Sequence, residues 1–160
     1  MSETRPKPSV RKAEMLDVEA LVALMHDFYA EAGFALDTLW AKNSFCDVIS
    51  NYNLGCIWLA MLNNDPVGHA VLTVRHTMEH GALSGYIDDL YVRPSFRRKD
   101  VGSELLRELI QECHTRGCKA VYVEVGADNE PARSLYERFG LLATRDSRVL
   151  LSGRISNASI

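Results

Sequence analysis

The sequence predicts a single α+β domain in which a mixed, mostly antiparallel sheet carries helices on both faces, in the order βααβββαβαβ(β). Four stretches place apolar residues at helical spacing, and the shorter stretches between them alternate or run apolar as strands do. A strong turn at 63–66 joins two strands, and a strand–helix–strand unit occupies 86–125. We expect one domain over 1–160, with its core at about 8–151 and flexible ends at 1–8 and 152–160.

The N-terminal part of the chain predicts a short strand followed by two helices. Residues 9–13 suit a strand, and Asp17 stands where a helix cap belongs, ahead of apolar residues at helical spacing. Gly33 ends this first helix. A less regular pattern over 38–50 predicts the second helix. Its candidate anchors in the core are Leu39, Phe45 and Ile49.

The middle of the chain predicts three strands. Residues 56–62 form a continuous apolar run, and 67–75 continue beyond the turn, so the two should pair as an antiparallel hairpin. The polar stretch 76–84 predicts a loop, and 86–92 predict the strand that follows it.

The C-terminal part predicts two helices with a strand between them. From Val101 onward, apolar residues mark one helical face, and Gly117 stands where a glycine commonly ends a helix. Residues 121–125 alternate as a strand does. Pro131 fits the first turn of the last helix, after which 141–151 can supply two final strand pieces.

Composition and charge exclude several classes of function. The formal net charge is -3 and the pI is near 5.9, so we expect no nucleic-acid or membrane-surface partner. The N-terminus has no apolar signal segment, and no apolar run approaches the roughly 20 residues that span a bilayer. The four cysteines show neither paired spacing nor a histidine partner, which indicates reduced thiols in a cytoplasmic protein and no metal site.

A basic turn follows the strand at 86–92 and precedes the helix that begins near Val101. Arg93, Arg97, Arg98 and Lys99 crowd this turn, against the acidic balance of the whole chain. The start of a helix presents free backbone N–H groups and the positive end of its dipole to an anion. We therefore expect a small polyanionic ligand that carries a pyrophosphate. The alternative is a solvated turn.

Two motifs in this order resemble the GNAT superfamily of N-acetyltransferases. The strand, basic turn and helix start at 87–106 look like the family's acetyl-CoA pyrophosphate motif, Arg/Gln-x-x-Gly-x-Gly/Ala. The segment at 128–141 is similar to its Asn-x-x-Ala-x-x-x-Tyr-x-x-x-Gly segment. With the element order, the resemblance covers nearly the whole chain and is closest to small-amine acetyltransferases of the spermidine/spermine type. It implies acetyl-CoA as co-substrate and no metal, and it is compatible with a homodimer, which the sequence itself does not establish.

The resemblance implies a set of contacts to acetyl-CoA. The backbone of Leu90 would polarise the acetyl carbonyl, and the turn would hold the pyrophosphate. The motif glycine is replaced by Asp100, and Arg98 also stands where many relatives have glycine, which predicts weaker binding. The implied contact residues are Leu90, Tyr91, Val92, Arg97, Arg98, Lys99, Asp100, Val101, Gly102, Ser103, Asn129 and Ala132.

The chemistry of acetyl transfer to an amine needs a base and a proton donor. A primary amine is mostly protonated at neutral pH, and a carboxylate can take its proton. Asp88 is the first candidate, because an acidic pair inside an apolar strand is unusual; Asp89 and Glu124 are alternatives. Tyr136 matches the family tyrosine that protonates the departing thiolate. Its alternative is a core residue on an apolar helix face.

The acceptor is less defined than the rest of the site. The resemblance places the first two helices beside the acceptor, and the acidic residues suit a small cationic amine. Two alternatives stay open: a protein or peptide amine as acceptor, and a noncatalytic acyl-CoA-binding or protein-interaction module on the same fold. The candidates for the acceptor cleft are Glu31, Phe34, Trp40 and Phe45, with Asp88, Asp89 and Glu79 as further acids.

Overall fold

The computed structural model describes residues 6–144 and 147–155, and it confirms the α+β fold class. Five strands form one sheet in the order β1-β2-β3-β4-β5. Neighbouring strands are antiparallel, except for the parallel pair β4 and β5. The strands are β1 (Ser9–Lys12), β2 (Gly55–Leu62), β3 (Asp65–Thr77), β4 (Ala82–Val92) and β5 (Ala120–Val123). The helices are α1 (Val18–Glu31), α2 (Thr38–Ser50), α3 (Val101–Thr115) and α4 (Glu130–Arg138).

Helices cover both faces of the sheet because the strands at its centre are apolar on both sides. Every residue of β2 except Met61 is buried. Helices α1 and α2 pack on one face, in a cluster that includes Leu21, Phe45 and Tyr91. Helices α3 and α4 pack on the other face, around residues such as Leu105 and Tyr136. The buried side chains of each helix lie on the side that faces the sheet, which fixes the orientation of the helix.

The predicted helix ends are correct, but the cap of α1 and one core anchor of α2 differ from the prediction. Asp17 precedes α1, but its carboxylate accepts from Arg11 and from the backbone of Glu14 and does not cap the helix. In α2 the predicted anchor Leu39 is wrong, since it is 68% exposed, whereas Phe45 is buried. Gly33 and Gly117 end their helices with φ values of 79° and 72°, a left-handed conformation that glycine adopts without a side-chain clash.

The hairpin strands β3 and β4 are longer than predicted. The stretch 76–84 is not a loop, because β3 runs to Thr77 and β4 begins at Ala82. Polar side chains pair across these strand ends, where the hydroxyl oxygens of Thr77 and Ser84 lie 2.9 Å apart. The polar residues of this stretch therefore indicate cross-strand hydrogen bonding and not a loop.

The prediction of final strands at 141–151 is wrong for the residues that the structure describes there, 141–144 and 147–151, which form no strand. Their large apolar side chains, Leu142, Val149, Leu150 and Leu151, are at least 72% exposed. The alternation in this segment therefore has no buried face to fix it. Of the flexible ends predicted at 1–8 and 152–160, residues 1–5 and 156–160 lie outside the described residues.

A buried ionic network fastens β1 to α3. The carboxylate of Glu112, a residue only 6% exposed, accepts from the phenol of Tyr52 at 2.9 Å and from Arg116 at 2.8 Å. Lys12 approaches its other oxygen at 2.7 Å. Three donors therefore compensate a carboxylate that burial alone would disfavour.

Candidate active site

The candidate site begins where β4 and β5 separate. Their parallel pairing ends at Ile87 and Val123, one residue before a β-bulge in β4. The bulged residue is Asp88, because Ile87 and Asp89 pair with successive residues of β3. A bulge bends its strand and changes the direction of its side chains. Beyond this point, no described residue pairs with β4 as a strand on its β5 side.

A cavity of about 960 Å³ opens on the side of β4 where β5 has ended. Its walls come from the end of α1, the end of β4, the turn before α3, the loop before α4, and α4 itself. The predicted residues that line it are Leu90, Tyr91, Val92, Arg97, Arg98, Asp100, Gly102, Ser103, Asn129, Ala132 and Tyr136.

The turn before α3 presents a row of free backbone donors. None of the described residues accepts a hydrogen bond from the N–H groups of 98–103. Arg98 and Asp100 adopt left-handed conformations, with φ values of 58° and 63°, so the two positions where relatives have glycine keep a conformation that glycine prefers. Alternating conformations of this kind turn successive N–H groups toward one point, which suits a diphosphate.

Cations surround this turn, but they are not equivalent. Arg97 is held in place: its guanidinium donates to the Val92 carbonyl at 2.9 Å and to Glu31 at 2.7 Å. Arg98 and Arg138 also line the cavity, and neither forms an ion pair with a described residue. Two exposed guanidinium groups are therefore available to bind phosphate oxygens.

Gly102 explains how α3 and α4 approach each other beside the cavity. A Cβ atom at Gly102 would lie 3.2 Å from Cδ2 of Leu135. That contact is tight but leaves room for a small adjustment, in line with the motif's choice of Gly or Ala at this position. Gly102 therefore lets the start of α3 and its free N–H groups lie directly against α4.

Asn129 lies at the start of α4 and also faces the cavity. Its side-chain oxygen accepts from the backbone N–H of Ala132 at 3.2 Å, which caps the helix. The amide nitrogen of the same side chain stays available to a ligand. The capping role and the contact predicted from the motif are therefore compatible.

Tyr136 is at once a core residue and a lining residue. It is 7% exposed and packs in the cluster beneath α3, yet it borders the cavity. Burial, and after it the charge of Asp89, raises the pKa of Tyr136 to about 12. The phenol is therefore protonated at neutral pH, as a proton donor must be.

The two aspartates at the bulge differ in surroundings. Asp88 is exposed and borders a smaller cleft of about 240 Å³ with Thr73, Arg75 and Tyr86. Partial burial raises the pKa of Asp88, and the charges of Asp89 and Glu124 add to this, against a hydrogen bond from Thr73. The side chain of Asp89 is 19% exposed.

Asp89 lies within electrostatic reach of two phenols, those of Tyr29 and Tyr136. Burial first, and then its charge, raises the pKa of Tyr29 and of Tyr136, which belong to helices on opposite faces of the sheet. The charge of Asp89 therefore acts on residues that belong to both faces of the sheet.

Some predicted residues lie outside the cavity lining. Val101 is 1% exposed and belongs to the core, and Lys99 lies over the ring of Phe96 at 5.3 Å. Phe45 is buried, so its predicted place in the acceptor cleft is wrong. The predicted base Asp88 also lies outside this lining, on the exposed side of the bulge.

Several lining residues were missed. Of these, only the residues of α4 could have been found from the sequence. Leu135 and Arg138 continue the spacing of Pro131 and Ala132 along one helix face. The missed residues are Phe28, Ala32, Gly126, Ala127, Asp128, Pro131, Leu135 and Arg138, and Glu31 lines this cavity as the partner of Arg97.

The family model described as Acetyltransferase (GNAT) family matches residues 20–141. That range contains the free N–H groups, the bulge and Tyr136. The chain belongs to the GNAT acetyltransferase family. It is therefore an acetyl-CoA-dependent N-acetyltransferase, which confirms the resemblance read from the two motifs.

Curated relatives in this family act on a protein. A Bacillus subtilis protein named as a candidate ribosomal protein bS18-alanine N-acetyltransferase is 24% identical over 148 residues, which cover 86% of this chain and 82% of that protein. The ribosomal protein bS18-alanine N-acetyltransferase of Salmonella typhimurium is 42% identical over 52 residues, 32% of this chain and 35% of that one.

Solved structures share the GNAT fold over almost the whole chain. An integron cassette protein from the mobile metagenome of Cole Harbour Salt Marsh is 37% identical, with a TM-score of 0.83 over 93% of this chain and 91% of that one. An aminoglycoside N-acetyltransferase in complex with CoA has a TM-score of 0.80 at 15% identity, over 96% and 99% of the two chains. The second likeness shows the fold alone.

Two further statements concern only the described residues. They contain no helix long and apolar enough to cross a bilayer. They also contain no group of three His, Cys, Asp or Glu side chains that could hold a metal ion.

Proposed function

We propose that this enzyme transfers the acetyl group of acetyl-CoA directly to a small cationic primary amine. The amine nitrogen attacks the thioester carbonyl, a C–N bond forms, and the C–S bond breaks. The ammonium first gives one proton to a carboxylate. As the amide forms, its nitrogen loses a second proton to solvent, the CoA thiolate gains one from Tyr136, and the phenol recovers its proton from solvent, so the net products are the amide, the CoA thiol and one proton. The observation that carries the acceptor class is the group of three carboxylates near the bulge, where the negative charges of Asp89 and Glu124 act on Asp88.

The acceptor side of this proposal depends on the exposed face beside the bulge. Tyr86 and Tyr122 stack there with ring centroids 5.1 Å apart, each two positions before a carboxylate on its own strand or the loop that follows it, Asp88 and Glu124. Clustered negative charge favours a cation. The Arg75 guanidinium, which lies 4.3 Å from the centroid of the Tyr86 ring, already makes a cation–π contact on this face. Because Glu31 is paired with Arg97, it contributes less to this attraction than the sequence suggested.

Asp88 serves as the base in this proposal, directly or through water. Its raised pKa brings the carboxylate closer to the range in which a base works at neutral pH. Its exposure lets the proton pass to solvent. The charge of Asp89 acts on Tyr136, and Asp89 would fix the ammonium group of the acceptor.

Tyr136 is the proposed donor to the departing thiolate. Its high pKa keeps the proton on the phenol, and Tyr136 lines the cavity in which the thioester would lie in this proposal. The backbone of Leu90 would polarise the carbonyl of the same thioester.

The remaining residues would hold acetyl-CoA. The N–H groups of 98–103, including those of Lys99, Val101 and Ser103, would bind the pyrophosphate. Arg98 and Arg138 would neutralise its charge. Tyr91 and Val92 would lie along the pantetheine arm, with Asn129 and Ala132 opposite. In this proposal the enzyme works in the cytoplasm, where its four free cysteines stay reduced; homodimerisation stays a prediction.

A peptide N-terminus is the second candidate acceptor. The relatives named for ribosomal protein bS18-alanine acetylation favour it, the first of them over most of both chains. Exposed apolar side chains near the end of α1 and the start of α2, Phe34 and Trp40, could contact a peptide.

Release of free CoA thiol from acetyl-CoA tests the proposal. The acceptors are spermidine, an aminoglycoside, a peptide with N-terminal alanine, and the same peptide with a blocked N-terminus as control. We expect turnover with a cationic small amine and a rise in its KM at high salt. Turnover with the free peptide alone would establish the second candidate. Absence of turnover with every amine would refute the proposed activity.

A further inference from the structure

A buried histidine on β3 has no hydrogen-bond partner. His69 is 0% exposed, and neither of its ring nitrogens bonds to any described residue. Phe45 lies edge-on to the imidazole with centroids 6.0 Å apart, and Tyr91 lies beside it at 6.3 Å. Of the side chains in the described part of the protein, His69 alone carries buried nitrogen or oxygen atoms in this state.

An unsatisfied buried donor or acceptor is costly to the fold. Each such group lowers the stability, because it has lost its hydrogen bonds to water and has gained none in the protein. An apolar residue of similar size would pack beside Phe45 and Tyr91 without that cost. Packing alone therefore does not explain why this position holds a histidine. Strained or unsatisfied groups concentrate at functional sites, so a functional role is the better explanation.

The carboxylate of Asp89 lies close to this imidazole. Nε2 of His69 lies 3.7 Å from Oδ2 of Asp89. An N–H···O bond is commonly about 2.9 Å long, so a shift of about 0.8 Å would close the distance. The two residues belong to neighbouring strands: Asp89 pairs with Val71, two residues beyond His69 on the same face of the sheet.

Asp89 is also the link to the reacting groups. Its charge reaches Tyr136 on one face of the sheet and Tyr29 on the other, and it directly follows the bulged Asp88. Its side chain is partly exposed, so one carboxylate oxygen can turn toward solvent or an acceptor while the other faces His69.

We propose that His69 is a positioning residue for the acceptor amine: its Nε2–H group holds one oxygen of Asp89, so that the other oxygen faces the ammonium group at the bulge. The inference rests on the proposed function, because it assigns Asp89 to the acceptor. When an amine binds, Asp89 moves the short distance that completes the bond to His69. Without His69 the carboxylate turns freely, and the amine is less well aligned with the thioester.

Three substitutions separate positioning from packing. His69→Leu removes both nitrogens and keeps an apolar side chain, whereas His69→Gln keeps an N–H donor at about the reach of Nε2. We expect His69→Leu to lower kcat for the best amine about 10- to 100-fold. We expect the KM for acetyl-CoA to stay within about twofold, and the Tm to be unchanged or higher. His69→Gln should recover most of kcat. If His69→Leu does not fold, His69→Asn, whose amide is too short to reach Asp89, takes its place against His69→Gln.

The Asp89→Asn background completes the test. In that background we expect His69→Leu to lower kcat no further, because Asp89→Asn has already removed the charge that His69 positions. Normal kcat in His69→Leu, failure of His69→Gln to recover it, or losses that multiply with Asp89→Asn would each overturn the inference while the wild-type enzyme still acetylates the amine. Absence of turnover by the wild type would instead refute the proposed function.

Discussion

Replacement of Asp100 should tighten the binding of acetyl-CoA. Asp100 lines the cavity among the free N–H groups, in a left-handed conformation with φ of 63°, and its side chain does not cap α3. Its charge therefore opposes a diphosphate without a compensating hydrogen bond from the helix. Asp100→Asn removes the charge and keeps a side chain that tolerates this conformation, whereas Asp100→Gly also removes the Cβ atom.

The expected magnitude follows from the exposure of the turn. Two unit charges about 4 Å apart in water interact by about 1 kcal/mol, which corresponds to about fivefold in Kd. Asp100→Asn should therefore tighten acetyl-CoA about fivefold. Asp100→Gly should tighten it at least as much, because the backbone can approach the phosphates more closely. The Tm of the glycine variant should change little, since relief of the left-handed conformation and the greater entropy of the unfolded chain oppose each other at about 1 kcal/mol each.

Titration calorimetry with acetyl-CoA, at low and high salt, measures these effects. The gain of Asp100→Asn should shrink at 1 M salt, where the Debye length is about 3 Å. Glu108→Gln, an exposed acid farther along α3, is the matched control and should leave Kd within about twofold. Unchanged or weaker binding by both Asp100 variants would refute the reasoning, because it would mean that this carboxylate does not oppose the phosphates.

Three further outcomes are expected. Tyr136→Phe should lower kcat about 10- to 100-fold without a change in the KM for acetyl-CoA, and loss of folding would instead favour a purely structural role. Glu112→Ala should lower the free energy of unfolding in urea by about 3–5 kcal/mol, because it leaves Lys12 and Arg116 without their buried partner, whereas Glu108→Ala should stay within about 0.5 kcal/mol. Although burial raises the pKa of Glu112, its hydrogen bonds with Lys12, Tyr52 and Arg116 bring it below the usual 4.5. The stability that this lowered pKa provides is complete above pH 4.5 and is lost as the pH falls through the folded-state pKa, so wild type and Glu112→Ala should converge in acid.

Local patterns predicted the elements whose signals lie within a few residues. The bounds of α2 match the predicted 38–50, and the turn at 63–66 gives residues Asn63 and Asn64 positive φ values of 52° and 67°. Asparagine tolerates this conformation, so the sequence alone indicates such a turn. The stretch 76–84 was predicted wrongly because polar residues there pair across the strands, a long-range property.

The bulge in β4 was not predicted, since no local signal distinguishes Asp88 as the extra residue. It becomes evident only from the pairing with β3. Phe28 on α1 was missed for the same reason. Glu31 was predicted for the acceptor cleft, but its ion pair with Arg97, across 66 positions of the chain, was not predicted. His69 reads as an ordinary strand residue until its burial and its distance from Asp89 are known.

The sequence by itself determined the element order, the basic turn before α3 and the motif that contains Asn129 and Tyr136, because helical spacing, turn chemistry and family motifs are local. Only the tertiary structure decided which acids act together and where the ligand cavity opens. Both depend on the end of β4–β5 pairing at Ile87 and on the bulge at Asp88, where packing of distant strands and helices sets the direction of each side chain.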